Sequence, residues 1–346
     1  MLRTALIGFP SSGKTTLFQL MTSQREAPRG GHGKLEAVIG VARVPDPRVD
    51  RLAELYKPKK NTPATVEFAD LAGPGRTGAQ ILLDVAPYRN AEALVHVVRA
   101  FRDPSVTHHA VALDPASDAQ AMEDELLLAD LAVTEKRLER IDRDLKKGRT
   151  AELERERLLI LRCKEALEQG LPLRGVPMTD EERKLLRGFQ FLSAKPLLVV
   201  INMDEADTAL LSDGARAADA AGLTSFLSRA GTRAVAVCAK IELEIAQLDA
   251  ADAQAFLADL GLSEAGVNRV IRTTYELLGY ISFLTAGDDE CRAWSIPRGT
   301  PAQLAASEIH SDIARGFIRA EVVRFDHLIA RGSLGACRDH GGLPLV

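Results

Sequence analysis

The apolar positions of this chain fall into two patterns. In the first, short continuous runs recur at residues 2–7 (LRTALI), Val66–Phe68, Ala93–Val98 (ALVHVV), Pro196–Ile201 (PLLVVI) and Ala234–Val237. Runs of this length with no polar face predict buried parallel strands with helices between them. The first run ends at Gly8, and a helical pattern carrying Leu17, Phe18, Leu20 and Met21 starts at Gly13. Strand, glycine-bearing turn and helix is the opening of an α/β nucleotide-binding fold. Residues 22–42 are Gly-rich and polar and predict a loop.

The second pattern fills the middle of the chain. From Ala119 to Gln169 glycine and proline are almost absent and charges are dense. Leu127, Leu131, Leu138, Ile141 and Leu145, with Thr134 in the gap, alternate in steps of four and three. That spacing is a heptad seam. The segment KKGRT at 146–150 interrupts it, with Gly148 suited to a left-handed helix end and Thr150 to an N-cap. A second seam follows at Leu153, Ile160, Cys163 and Leu167. Two such helices and a short turn predict an antiparallel hairpin, inserted because strand-like runs resume after it. Beyond Leu278 the texture changes again. YISFLTAG, CRAWSI and GTPAQLAASEIHSDIARGFIRAEVV predict strand, strand, helix and strand in a small α+β module. The expected organisation is a nucleotide-binding domain at 1–117 and 190–277, a helical hairpin at 118–189 and a terminal module at 278–346.

Composition leaves this picture intact. A length of 346 residues suits two or three domains. With 46% hydrophobic and 27% charged residues the chain is an ordinary globular one. A net charge of −4 gives no bulk attraction to nucleic acid, so no DNA partner is predicted and RNA contact needs a local patch. The N-terminal apolar run is too short for a signal-peptide core, and no run is long enough to cross a bilayer. Cys163, Cys238, Cys291 and Cys337 are scattered without a CxxC pair, which fits a reducing compartment. The expectation is a cytoplasmic protein with no membrane partner.

Candidate chemistry begins at Gly8-Phe9-Pro10-Ser11-Ser12-Gly13-Lys14-Thr15, which matches G-x-x-x-x-G-K-[ST]. Glycines let successive N–H groups turn inward onto phosphate oxygens, and the following helix presents its positive end to the same anion. Lys14 neutralises the β/γ oxygens, and the Thr15 hydroxyl is a hard ligand for Mg²⁺. Gly8, Pro10, Ser11, Ser12, Gly13, Lys14, Thr15 and Thr16 are the expected phosphate-binding set. Asp70 ends a strand in FADLAG, a D-x-x-G pattern that places a carboxylate near Mg²⁺ and the Gly73 amide near the γ-phosphate.

Asn202-Met203-Asp204-Glu205 follows PLLVVI, where GTPases carry N-K-x-D. Glu205 is one methylene longer than the guanine-reading Asp, and Met203 replaces the Lys. Hydrogen-bond geometry is tight enough for that displacement to weaken guanine recognition, while Asn202 can still bond adenine N6 and N7. Cys238-Ala239-Lys240, after the run AVAV, fits an S-A-K loop framing the base. ATP is therefore expected over GTP.

Taken together these residues resemble the YchF/Obg-like ATPase family, along almost the whole chain. GFPSSGKTTLF resembles its phosphate loop, and GVARVPDPRVDRLAELYKPKKNTPATVEFADLAG its switch region. NMDE is similar to its N-x-x-E base motif and CAKIELEIAQL to its S-A-K-I-E-x-E-I loop. YISFLTAGDDECRAW and IHSDIARGFIRAEVV resemble its C-terminal TGS module. The resemblance implies a P-loop fold of the G-domain type, an ATPase that also binds GTP, a ubiquitin-like TGS domain and association with the large ribosomal subunit. The family lacks a water-orienting Gln after D-x-x-G, and here that place is Pro74. Its candidate replacement is a His in the loop after ALVHVVRAF, which aligns with His108, beside His109. Lys14 and His108 are thus the expected catalytic residues. Three positions depart from the family: Ser11 replaces an Asn linked to a K⁺ site, Lys34 stands at the switch-I Thr, and the sequence stops at GGLPLV, before the module's final strands.

Other features have bland readings beside the sharp ones. Lys146, Lys147 and Arg149 at the hairpin tip could meet RNA phosphates or form a solvated turn. Trp294 could stack on a base or sit in a core. Glu123, Asp124 and Glu125 read as a helix start rather than a metal site. Cys291 has no neighbour that would lower its pKa. Two other function classes stay open: a nucleotide-binding scaffold with negligible hydrolysis, motivated by Pro74, Lys34 and Ser11, and a GTPase regulator.

Overall fold

In the computed structural model of the chain, the described residues are 2–22, 37–71, 86–103 and 112–339. Their strands are β1 (Arg3–Ile7), β2 (Ala37–Arg43), β3 (Lys60–Thr62), β4 (Thr65–Leu71), β5 (Ala93–Arg99), β6 (Leu197–Asn202), β7 (Thr232–Val237), β8 (Tyr280–Thr285) and β9 (Glu290–Pro297). The chain divides into two compact units, residues 1–42 with 67–277, and residues 43–66 with 278–346.

The first unit is built on a six-stranded sheet in the order β2-β4-β1-β5-β6-β7. From β4 to β7 the pairs are parallel, with Leu6 beside Asp70 and Val95, and Val98 beside Ile201. The central strands β1, β5 and β6 are mostly apolar because helices cover both faces. On one face Ala5, Ile7, Leu94, Val98, Val199 and Ile201 pack with Ala119, Met122 and Leu126 of the helix Pro115–Leu145. Against the other lie the helices Lys14–Thr22 and Gly266–Leu277. Glu242 fixes the start of the latter, its carboxylate accepting from Gly266 N at 2.6 Å and Val267 N at 3.3 Å. Residues 37–42 were expected in a loop and instead form most of β2. The stretch AVIGVAR has the strand composition, hidden in a wider window by the glycines before it.

The hairpin forms from the helices Pro115–Leu145 and Ala151–Glu168, and Thr150 caps the second by accepting from Leu153 N at 3.2 Å. Leu127, Leu138, Ile141, Ile160, Cys163 and Leu167 make one buried cluster, joined by Leu159 and Phe191. Ion pairs flank the seam, the Arg137–Glu156 fork at 2.7 Å among them. The first helix does not end on a left-handed Gly148 as expected: it ends at Lys146 in the right-handed region, and the amides of Lys147 and Gly148 both donate to Asp144 O. Glu123 lies in mid-helix, not at a helix start. It is buried in a two-bond pair with Arg174 at 2.9 and 2.6 Å. Among the described residues no helix is long and apolar enough to cross a membrane.

In the second unit β3, β9 and β8 form a sheet, with β3 parallel to β9 and β9 antiparallel to β8. Residues 43–66, read from sequence as nucleotide domain, belong here. Their helix Pro47–Tyr56 contributes Leu52 to a core with Cys291, Leu328 and Cys337. The expected third strand at EVV is a single bridge residue, Glu321, and the third strand of this sheet is β3, beside β9. Trp294 is half-buried, with the Arg292 guanidinium 4.0 Å above its ring and its indole N–H donating to Thr285 Oγ1. Burial pushes the Cys291 thiol up.

Candidate nucleotide-binding site

β1 runs out at Ile7 and the chain turns through residues 8–13 before entering the helix Lys14–Thr22. Two glycines make that turn possible. Gly8 sits at φ +141°, and a Cβ there would lie 2.4 Å from Val97 O. Gly13 sits at φ +97°, and a Cβ there would lie 2.4 Å from Asn202 Nδ2. Ser11 also adopts a left-handed backbone, at φ 61°. Asn tolerates that region better than Ser. Pro10 and Ser11 are exposed at the lip of the loop, whereas Ser12 is buried.

Lys14 folds back over the turn. Its Nζ donates to Gly8 O at 2.6 Å and Phe9 O at 2.8 Å, so two of its three hydrogens hold the loop and, among the described residues, the third is left for an anion. Burial lowers its pKa to about 8, against the opposing pull of Asp70. Thr15 Oγ1 donates to Asp70 Oδ2 at 2.9 Å, joining the helix start to the end of β4. Burial raises the Asp70 pKa, opposed by the Thr15 hydroxyl and Lys14. Asp70 Oδ1 and Ser12 Oγ are buried with no hydrogen-bond partner among the described residues. Unmet oxygens beside a buried ammonium are what a bound polar group would satisfy.

Asn202, at the end of β6, ties this loop to the base loop. Its Nδ2 donates to Ser12 O at 2.9 Å, and its Oδ1 accepts from Ala239 N at 3.0 Å. The amide read from sequence as a purine reader therefore first fixes two loops, and among the described residues one Nδ2 hydrogen remains for a base nitrogen. Met203 and Cys238 are buried, and Met203 N donates to Val237 O at 2.7 Å. Cys238 is the N-cap of the helix Ala239–Ile245. Asp204 caps the turn 205–207, accepting from Ala206 N and from Arg102 N. Glu205 and Lys240 meet at 2.5 Å, which raises the Lys240 pKa. Gly73, Pro74, His108, His109 and Lys34 lie outside the described residues.

His96, which sequence reading passed over as one letter in an apolar run, is the unforeseen member of the neighbourhood. It is 1% exposed on β5, its Nε2 has no partner among the described residues, and burial followed by Lys14 lowers its pKa to about 3. In the unfolded chain its pKa is near the ordinary 6.5, so between the two values only the unfolded state takes up the proton, and stability falls with pH. Going from pH 7 to pH 5 is expected to cost about 2 kcal/mol through this residue. Urea unfolding of the nucleotide-free protein checks this, because His96→Leu should flatten the pH dependence by about that amount.

This geometry is found in a chain with full-length relatives. A family model described as YchF-GTPase_C, protein of unknown function (DUF933), matches residues 280–345. A Bacillus subtilis (strain 168) protein named ribosome-binding ATPase YchF is 36% identical over 350 residues, covering 99% of this chain and 94% of that protein. The chain belongs to the YchF family. The YchF protein of Escherichia coli O157:H7, with the same printed name, is 36% identical, covering 96% of this chain and 92% of its own length. A solved structure described as the Schizosaccharomyces pombe YchF GTPase superposes with a TM-score of 0.81 at 27% identity, covering 99% of this chain and 93% of that one. The α/β fold with its mostly parallel sheet is thus the YchF fold, and the C-terminal match falls inside the second unit.

Proposed function

We propose that this chain binds ATP in preference to GTP at the loop Gly8–Thr15, with Mg²⁺, and hydrolyses it slowly in the cytoplasm as a partner of the large ribosomal subunit. The observation that carries the reading is Lys14, held by two loop carbonyls with one N–H to spare among the described residues. Relatives named ribosome-binding ATPase support the reaction and the ribosome, and the solved relative described as a GTPase keeps guanine as the competing base.

The chemistry follows from the donors. The Lys14 ammonium and the turn's backbone amides would meet the β/γ oxygens, where negative charge gathers during phosphoryl transfer. Thr15 Oγ1 and the unmet Asp70 Oδ1 are hard oxygens that would hold Mg²⁺. When bound, the ion supplies charge neutralisation of the phosphate oxygens. Pro74 has no polar side chain to orient water, so the proposal gives that task to His108, which could also relay a proton near neutral pH. His108→Ala is expected to lower ATP turnover by about 10²-fold, the scale of acid–base assistance, without changing ATP affinity. Phosphate release alongside calorimetric Kd checks this, and unchanged turnover removes His108 from the mechanism. The broader test is phosphate release from ATP and GTP with a Lys14→Ala control, since release independent of Lys14 leaves a nucleotide-binding scaffold. Cosedimentation with ribosomes tests the partner, and the exposed Lys146, Lys147 and Arg149 are the basic group proposed to meet RNA.

A further inference from the structure

The two loops that frame the base are tied at two levels. Below, Asn202 Oδ1 holds Ala239 N–H, and Met203 N–H holds Val237 O. Above, Lys240 Nζ donates to Glu205 Oε2 at 2.5 Å. Each partner is fixed at its root. Glu205 opens the turn 205–207, which Asp204 caps, and Lys240 lies in the first turn of the helix Ala239–Ile245. Asp204 is engaged with the amides of Arg102 and Ala206, and Glu205 stands at the motif position where GTPases carry the guanine-reading Asp.

A free carboxylate there would favour guanine. Guanine offers N–H donors at N1 and N2, whereas adenine has an acceptor at N1 and no group at C2. We propose that Lys240 is a specificity-determining residue, which by pairing with Glu205 withdraws the carboxylate that would select guanine. This rests on the site reading above and adds a cause for the base preference other than the length of the Glu side chain. The pair is largely exposed, at 68% and 42% for the two side chains, so it contributes little to stability and its removal leaves the fold intact.

The test is calorimetric titration of the full chain with unlabelled ATP and GTP in Mg²⁺, on wild type, Lys240→Met, Glu205→Gln and the double variant. Lys240→Met is expected to shift the affinity ratio toward GTP by about fivefold, the scale of one hydrogen bond. Adding Glu205→Gln should return the ratio to the wild-type value. A ratio unmoved by Lys240→Met overturns the proposal, as does a shift that survives in the double variant. Wild type that takes up neither nucleotide sinks the underlying site reading instead.

Discussion

Replacing Lys14 by alanine is expected to weaken ATP binding by about 30-fold to several thousand-fold, the equivalent of about 2–5 kcal/mol for removing one partner of a buried, hydrogen-bonded charge pair. The range is high because the site is arranged around this ammonium. Two loop carbonyls aim it, burial strips water from it, and among the described residues Asp70 is the anion acting on it. Stability should move the other way. Burial holds the Lys14 pKa near 8, below its ordinary value, so the folded, nucleotide-free protein carries a desolvated ammonium at a cost. The alanine variant should unfold at the same or higher urea concentration without nucleotide, and lose the stabilisation that ATP confers on wild type. Calorimetry and ATP-dependent melting read the two effects separately. An alanine variant that binds ATP within about threefold of wild type would remove the phosphate loop from the function, being far below the energy of such a pair.

The parts of the site that were legible in the sequence are contiguous. In Gly8–Thr15 the two glycines are required by local stereochemistry and Lys14 and Thr15 by the motif's charge and hydroxyl, and the apolar runs marked the parallel strands because burial on both faces leaves no polar alternation. What was not legible depends on partners far along the chain. Asn202 reads as a base-contacting residue, and that its amide also spans 190 positions to Ser12 O follows only from the folded order β1-β5-β6. Residues 43–66 sit in sequence between two strands of the main sheet, but β3 pairs with β9, and Lys59 reaches Asp289 230 positions away. Nothing local in KNT announces that pairing. Glu205 and Lys240 were both singled out as base-framing residues, but that they neutralise each other emerges only when two loops meet. The heptad seam was the most readable tertiary feature, because its partner lies just across a short turn.

The same kind of hidden partner sets the largest expected loss of stability. Glu123 stands in an acidic run that reads as a helix start, yet its side chain is fully buried against that of Arg174, which is 3% exposed. Two bonds join the groups, and Arg174 Nε adds a third to Thr232 Oγ1 at 3.2 Å. This links the long hairpin helix to the start of β7, the strand that leads into the base loop. Glu123→Ala leaves a guanidinium in the interior with one neutral hydroxyl for company, and a charge stranded in this way costs about 3–5 kcal/mol. The midpoint should fall on the order of 10 °C, from the usual shift per kcal/mol in large domains. Glu156→Ala on the same hairpin removes an equally well-formed fork, but both of its side chains keep some water, at 26% and 18% exposure, and the loss should stay near about 1 kcal/mol. The pair Glu123→Leu with Arg174→Met separates lost attraction from stranded charge. If the stranded charge dominates, the double variant regains most of the stability that Glu123→Ala loses, because an apolar pair of similar volume has no ion to desolvate. If the double variant unfolds as early as the single one, the pair holds the hairpin root by attraction and fit.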